Sequence, residues 1–203
     1  MKTNLSLLIL GAGLMLTMAC TKYPPSSERL LEDLAVITQY DTKADFNNYK
    51  TYSIPTSITK VTDKDTTEVT TQLAMDILNT IAKNMDARGF VQVAAGVKPD
   101  VGIQVVYFQN TYVYSYSYNW YGYYPYYYYY YPYYPVYYSS YTTGMINIEF
   151  VDLKIVDPDN QRLYVRWNAF IRGLLTGTHT TSEITGSVDQ AFTQTPQLVT
   201  SAK

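Results

Sequence analysis

The chain has 203 residues, a formal net charge of −2 and a single cysteine. This length is ample for one domain with a real core, and the slightly acidic charge argues against a nucleic-acid binder, which usually presents a basic face. One cysteine excludes an internal disulfide. Tyrosine is the outlier of the composition, with 24 residues.

The N-terminus has the features of a secretory leader. Lys2 supplies a positive charge, an apolar run follows from Leu5 to Met18, and the next charged residue is Lys22. The run is shorter than the ~20 apolar residues that span a bilayer. Its length, charge and flanks predict a signal peptide over residues 1–19. A signal peptide cleaved after Ala19 without lipidation, or a short membrane anchor, are the alternatives.

The end of the leader, Leu16-Thr17-Met18-Ala19-Cys20, resembles the lipobox of bacterial lipoproteins. In that motif the cysteine is acylated and becomes the new N-terminus, although the usual leucine three residues before it is Thr17 here. The resemblance implies lipidation of Cys20, and two or three acyl chains make a durable membrane anchor. We expect residues 20–33 to form a lipidated tether.

The residue after the cysteine bears on localisation. It is Thr21 rather than aspartate, which by resemblance to enterobacterial sorting favours the outer membrane. We therefore expect a lipid-anchored outer-membrane protein that faces the periplasm, and surface exposure remains an alternative.

The remaining residues, 34–198, are predicted to form one domain that starts with two short strands and a helix. Residues 34–40 and 49–54 alternate as strands, and a polar loop over 56–67 follows. A helix then extends to Gly89, with Thr66 or Thr67 as its cap and Glu68 in its first turn. Its apolar stripe recurs every four residues, at Val69, Leu73, Ile77, Ile81 and Met85.

The second half of the domain is predicted to be mostly strand. Residues 90–93 form a short extended piece, and Val101–Phe108, rich in β-branched residues, a central strand. Residues 145–156 and 162–172 form a hairpin, whose second strand alternates as expected for a sheet with one buried face. Thr180 and Glu183 form a capping box that starts a last helix, which ends at Pro196. The predicted fold class is α+β, a mostly antiparallel sheet with two helices packed on one face and a long insertion between strands.

The insertion is a tyrosine tract, residues 112–141, which holds 18 of the 24 tyrosines and three prolines. Tyrosine presents a flat apolar ring with a polar tip, which suits sugar rings, peptides and headgroups. A long loop or extended hairpin that binds a glycan or an envelope protein is one interpretation, and a disordered low-complexity expansion is the other. Nucleic acid is rejected because no lysine or arginine lies between residues 110 and 143. The candidate binding residues are Trp120, Tyr121, Tyr123, Tyr124, Tyr126 and Tyr127.

Short motifs in a fixed order resemble a family of bacterial lipoproteins catalogued as domain of unknown function 4136. The order is specific although each motif is weak, and the final strand departs from the family's tryptophan-arginine-glycine because Asn168 and Ala169 follow Trp167. The resemblance implies an envelope lipoprotein and carries no activity. The matching segments are Tyr40-Asp41, Asp45-Phe46, Tyr49-Lys50-Thr51-Tyr52, Gly89-Phe90, Pro99-Asp100, Gly144 to Asp152, Val165-Arg166-Trp167 and Ile184 to Pro196.

No residue pattern predicts a catalytic, metal or cofactor site. His179 is the lone histidine, in a polar loop, and no phosphate- or dinucleotide-binding glycine motif occurs. The acids Asp63, Asp65 and Glu68 are too few for calcium and are interpreted as helix-cap electrostatics. The first hypothesis is a non-enzymatic lipid-anchored envelope protein with an interaction or assembly role. The second is a glycan- or peptidoglycan-binding lipoprotein that uses the tyrosine tract, and an envelope hydrolase is the third.

Overall fold

The computed structural model describes residues 34–62, 65–94, 96–109, 131–133, 144–157, 162–174 and 178–200, all within the compact unit Asp33–Lys203. The elements in chain order are β1 (Ala35–Tyr40), a 3-10 turn (Phe46–Asn48), β2 (Thr51–Ser53), β3 (Ile58–Val61), β4 (Thr66–Val69), α1 (Gln72–Ala87), β5 (Val91–Gln92), β6 (Val101–Phe108), β7 (Tyr131–Tyr133), β8 (Met145–Asp157), β9 (Arg162–Arg172) and α2 (Thr181–Thr193).

The nine strands in the described part of the chain form one mixed sheet in the order β1-β9-β8-β6-β2-β5, with β3, β4 and β7 attached at its sides. The long pairings, β1–β9, β8–β9 and β6–β8, are antiparallel. The short pairings of β2 with β5 and β6, of β3 with β6, and of β7 with β9 are parallel. The predicted central position of β6 is confirmed, because β8 lies on one side of it and β2 and β3 on the other.

Both helices pack on the same face of the sheet, as predicted. In α1 the stripe residues Ile77, Ile81 and Met85 are buried, and α2 buries Val188 and Phe192. They meet the core side chains of β6, β8 and β9, and each fully buried aliphatic or aromatic side chain contributes ~1.5–3 kcal/mol. The α+β architecture is therefore confirmed. The predicted capping box at Thr180 and Glu183 is also present.

The predicted loop before α1 is wrong, because residues 58–61 and 66–69 form the β3–β4 hairpin. The residue that caps α1 is Thr71, whose side chain accepts a hydrogen bond from the Ala74 N–H. Glu68 lies in β4, where its carboxylate accepts a hydrogen bond of 2.6 Å from the Ser57 hydroxyl. The predicted caps, Thr66 and Thr67, lie in β4 instead, where they pair with Val61 and Lys60 of β3.

The face of the sheet opposite the helices is also buried, contrary to the expectation of one buried face. Phe170 and Met145 are buried there among apolar neighbours. The polar residues Asn147, Glu149 and Asn168 are buried as well, and the Asn147 side-chain amide donates to the Glu149 carboxylate at 2.6 Å. Polar alternation along β8 and β9 indicates which way a side chain points, but it does not report exposure to water.

α1 ends in a Schellman motif, as the prediction of Gly89 at its end suggested. The Phe90 N–H donates to the Met85 carbonyl, and the Gly89 N–H to the Asp86 carbonyl. Gly89 has a φ of +86°, and a Cβ placed on it would lie 3.1 Å from Thr200 Cγ2.

Substitution of Gly89 by alanine should destabilise the fold more than the same substitution at Gly96. Both glycines have positive φ, but no atom lies within 4 Å of a Cβ built on Gly96. Gly96→Ala reports left-handed backbone strain alone, ~1–2 kcal/mol. Gly89→Ala should lose about 1 kcal/mol more, because Thr200 must move. Urea unfolding of both variants measures the difference, and equal losses would mean that Thr200 does not pack on Gly89 in solution.

Candidate functional site

Most of the residues proposed from sequence as functional lie outside the described part of the chain. These are Cys20, the six candidate tract residues from Trp120 to Tyr127, and Asp63. Of the tyrosine tract the structure describes the backbone of β7, which pairs in parallel with the start of β9. No helix in the described residues is long and apolar enough to cross a bilayer.

The histidine and the acid cluster do not come together. His179 Nε2 lies 2.9 Å from the Gly173 carbonyl oxygen, so the ring links the residue after β9 to the residues before α2. Asp65 and Glu68 remain with the β3–β4 hairpin, where Asp65 accepts from the Thr66 N–H. No group of three His, Cys, Asp or Glu residues suited to a metal ion occurs in the part of the chain that the structure describes.

The structure assembles a buried polar network that sequence reasoning did not predict. It consists of Asp41 after β1, Tyr49 before β2, Asp152 in β8 and Arg166 in β9, and is called the Arg166 network below. Arg166 Nη1 donates to Asp41 Oδ2 at 2.7 Å, and Arg166 Nε donates to Asp152 Oδ2 at 3.0 Å. The Tyr49 hydroxyl donates to the same Asp152 oxygen at 2.8 Å.

Both carboxylates of the Arg166 network are fully engaged. The second oxygen of Asp152 accepts the backbone N–H groups of Lys154 and Ile155, and the second oxygen of Asp41 accepts that of Lys43. The Asp152 side chain is 0% exposed and that of Arg166 is 13% exposed. Such a charge pair is tolerated in the interior because every partner is present.

The electrostatics of the Arg166 network keep the Tyr49 hydroxyl neutral and the Arg166 guanidinium charged. Burial and the adjacent Asp152 carboxylate raise the pKa of the Tyr49 hydroxyl well above its usual value. Burial alone would lower the pKa of Arg166, but its hydrogen bond to Asp41 and the nearby Asp152 outweigh burial and raise it. A general acid or base needs a pKa near the working pH. The arrangement therefore suits a structural clamp between strands better than proton transfer.

The motifs that carry the family resemblance now have physical roles. All four members of the Arg166 network lie in them, namely Asp41, Tyr49, Asp152 and Arg166. The Asp100 carboxylate accepts the N–H groups of Lys50 and Thr51 and so fixes the start of β2. The aromatic rings of the motifs, Phe46, Tyr49 and Phe90, each pack edge-on against Phe150. The indole N–H of Trp167 donates to Thr195 beyond α2 at 2.9 Å.

A partly open cavity of about 260 Å³ lies at the other end of the sheet from the Arg166 network. Its walls come from the β3–β4 hairpin, the first half of α1, the first turn of α2, and the sheet residues Tyr107 and Ile146. Among the described residues its lining contains no charged side chain. Burial raises the pKa of the Tyr107 hydroxyl, the one titratable group on its wall in that part of the chain. The cavity could not be predicted from sequence, because it is formed by residues scattered from 58 to 184.

Comparison with known proteins finds a matching family model and similar solved structures. The model of the family described as Domain of unknown function (DUF4136) matches residues 36–197. The crystal structure of a DUF4136 family protein from Bacteroides thetaiotaomicron VPI-5482 is 30% identical, with a TM-score of 0.66 over 82% of this chain and 98% of that one. No curated protein matches.

Two more distant solved structures are also similar. A PelC dodecamer from Paraburkholderia phytofirmans is 14% identical, with a TM-score of 0.41 over 82% of this chain and 98% of that one. A PDZ domain protein from Parabacteroides distasonis ATCC 8503 is 15% identical, with a TM-score of 0.41 over 82% of this chain and 38% of that one.

Proposed function

Because the chain belongs to the DUF4136 family, whose description assigns no activity, we propose a function from its residues and geometry. The protein is a non-enzymatic cell-envelope protein, lipid-anchored at Cys20, with an interaction or assembly role. The leader and the lipobox-like Leu16–Cys20 segment support the anchor, and Thr21 supports the outer membrane. The folded domain faces the periplasm in this proposal.

One observation carries the non-enzymatic part of the proposal. Among the described residues, the group of charged side chains that most resembles a reactive cluster is the Arg166 network. In both Asp41 and Asp152, each carboxylate oxygen accepts a hydrogen bond from a protein donor. An active site usually places charged or otherwise reactive groups at a cleft, whereas the described wall of the cavity is mostly apolar and carries no charged side chain. This separation of charge from cavity supports binding rather than chemistry.

A second candidate function is glycan or peptidoglycan binding through the tyrosine tract. The pairing of β7 with β9 favours it, because it fixes the backbone of Tyr131–Tyr133 to a long strand of the sheet. A rigid support lowers the entropy lost when neighbouring aromatic residues bind a ligand. The residues that would stack on sugar rings are Trp120, Tyr121, Tyr123, Tyr124, Tyr126 and Tyr127.

Retention of purified residues 21–203 on envelope fractions tests both functions. This fragment is suitable because nearly the whole length of the 30%-identical solved relative aligns with this chain. Serine replaces the six candidate tract residues, and Tyr40→Ser, which removes an exposed tyrosine of β1, is the matched control. We expect the tract variant to lose retention about tenfold or more and the control to lose little.

The material that retains the fragment separates the two functions. Retention that protease treatment of the fraction abolishes supports a protein partner. Retention on purified peptidoglycan sacculi, sensitive to glycan hydrolysis, supports the second function instead. If neither the unmodified fragment nor the variants are retained by any fraction, the interaction role is wrong.

A further inference from the structure

The apolar cavity has the shape of a binding site for a small ligand. It lies between two helices and the sheet and is only partly open to solvent. Its volume of about 260 Å³ is close to the lower end of the range for small-molecule pockets, ~300–1,000 Å³. The neighbouring core side chains Ile77 and Ile146 are buried and well packed on their other sides.

The lining selects against a polar or charged occupant. Among the described residues the wall consists of aliphatic side chains, with Thr71 and Tyr107 as its polar members. The Thr71 hydroxyl already accepts the Ala74 N–H as the cap of α1. A charged group placed inside would lose its hydration and meet no opposite charge among the described wall residues, so the part of a ligand that enters is apolar.

The volume sets the length of that apolar part. A methylene group occupies about the space of one water molecule, ~30 Å³, so the cavity accommodates about eight methylenes. This is too little for a sterol. It matches one short acyl chain or the terminal half of a longer one.

The cavity lies at the end of the sheet where the domain begins. Ala35, the first residue of β1, pairs with Arg172 at the end of β9, and Leu174 of the cavity wall follows two residues later. The first described residue, Leu34, therefore lies at the cavity end of the sheet. Thirteen residues lie between Cys20 and Leu34, and the chain between them reaches at most ~50 Å, so a domain anchored by lipid at Cys20 works within reach of a membrane.

We propose that the cavity between α1, α2 and the β3–β4 hairpin binds the acyl chain of a single-chain amphiphile, such as a fatty acid or a lysolipid. The chain enters the cavity, and the head group stays in water at the mouth. The supply of such molecules from the membrane rests on the proposed lipid anchor. The binding itself does not, because it is a property of the domain without Cys20.

Calorimetric titration of residues 21–203 with unbranched carboxylates from hexanoate to dodecanoate tests the chain-length rule. All ligands are kept below their micellar concentrations, and the matching alcohols are run beside them. Each added methylene should tighten Kd about fourfold until the cavity is filled, near eight methylenes, and then add little. The alcohols should follow the same slope because the head group is not buried. A flat series, or one whose slope depends on the head group, would overturn the proposal.

Cavity-filling variants locate the site. Leu73 and Leu174 are half-buried on the wall, so Leu73→Trp and Leu174→Trp each fill the cavity from a different element with little risk to the core. Both should weaken decanoate binding at least tenfold and keep the far-ultraviolet circular dichroism of the parent. Val91→Trp, on the 60% exposed Val91 of β5, is the matched control. Undiminished binding by both folded cavity variants would exclude this cavity.

A last arm separates an external ligand from the protein's own lipid. Decanoate should also bind the acylated full-length protein in phosphatidylcholine vesicles. Binding by residues 21–203 but not by the acylated protein would mean that a chain on Cys20 fills the cavity, which would overturn an external ligand. Failure of decanoate binding leaves the anchor at Cys20 untouched, because the soluble fragment lacks it.

Discussion

Replacement of Arg166 by methionine should lower the free energy of unfolding by ~3–5 kcal/mol, the usual cost of removing one partner of a buried charge pair. Arg166 is the cation between Asp41 and Asp152, and the Asp152 side chain is 0% exposed. Without the guanidinium, two carboxylates remain buried beside each other and lose two hydrogen bonds. Methionine keeps most of the volume, so the loss reports charge rather than a cavity. A domain of this size has only ~5–15 kcal/mol to lose, and urea unfolding followed by circular dichroism measures the change.

The matched control is Lys154→Met, at the same end of the sheet. Lys154 lies 3.8 Å from Asp100, and its side chain is 45% exposed, so water screens the pair and the loss should be about 1 kcal/mol or less. A variant that combines Arg166→Met with Asp41→Asn and Asp152→Asn should recover part of the lost stability, because uncompensated charge is the main cost. Equal losses for the arginine and lysine variants would mean that the Arg166 network is hydrated in solution.

The elements that the sequence predicted well are those whose local pattern agrees with their environment. β6 and β9 are rich in β-branched and aromatic residues, and α1 carries an unbroken four-residue stripe from Ile77 to Met85. The β3–β4 hairpin was missed because its strands are short and threonine-rich, and the apolar residues Ile58 and Val61 acquire meaning only beside β6. Long-range strand pairing determines the secondary structure of that segment, and local propensity does not report it.

The candidate sites show a different limit of sequence reasoning. Asp41 and Arg166 are 125 residues apart, so no spacing rule joins them. Their signal was the family resemblance, which pointed to several of the right segments without explaining them. No sequence pattern indicated the cavity, because the aliphatic residues of its wall recur along the chain in the same way as core residues. In contrast, the lipidation of Cys20 was predicted from one short local motif, because the processing machinery reads the unfolded leader directly.

Substitution of Cys20 by serine should abolish lipidation of the protein and remove it completely from the membrane fraction. Two or three acyl chains, at ~0.8 kcal/mol for each buried methylene, make the attachment durable, whereas a protein without acyl chains keeps none of that energy. Thr21→Ser, which leaves the thiol in place, is the matched control and should fractionate like the unmodified protein. The measurement is incorporation of a labelled fatty acid together with fractionation of the envelope.

The two measurements together decide among the three interpretations of the leader. Labelling and membrane association that both disappear in Cys20→Ser indicate a lipoprotein. A protein that is never labelled, and is released into the aqueous fraction with or without the thiol, indicates a plain signal peptide cleaved after Ala19. An unlabelled protein that stays with the membrane in both forms indicates an uncleaved anchor, but the apolar run from Leu5 to Met18 is shorter than a bilayer requires. The lipidated form is therefore the one that combines a short leader with lasting attachment, and it leaves the domain free to work at the end of a tether.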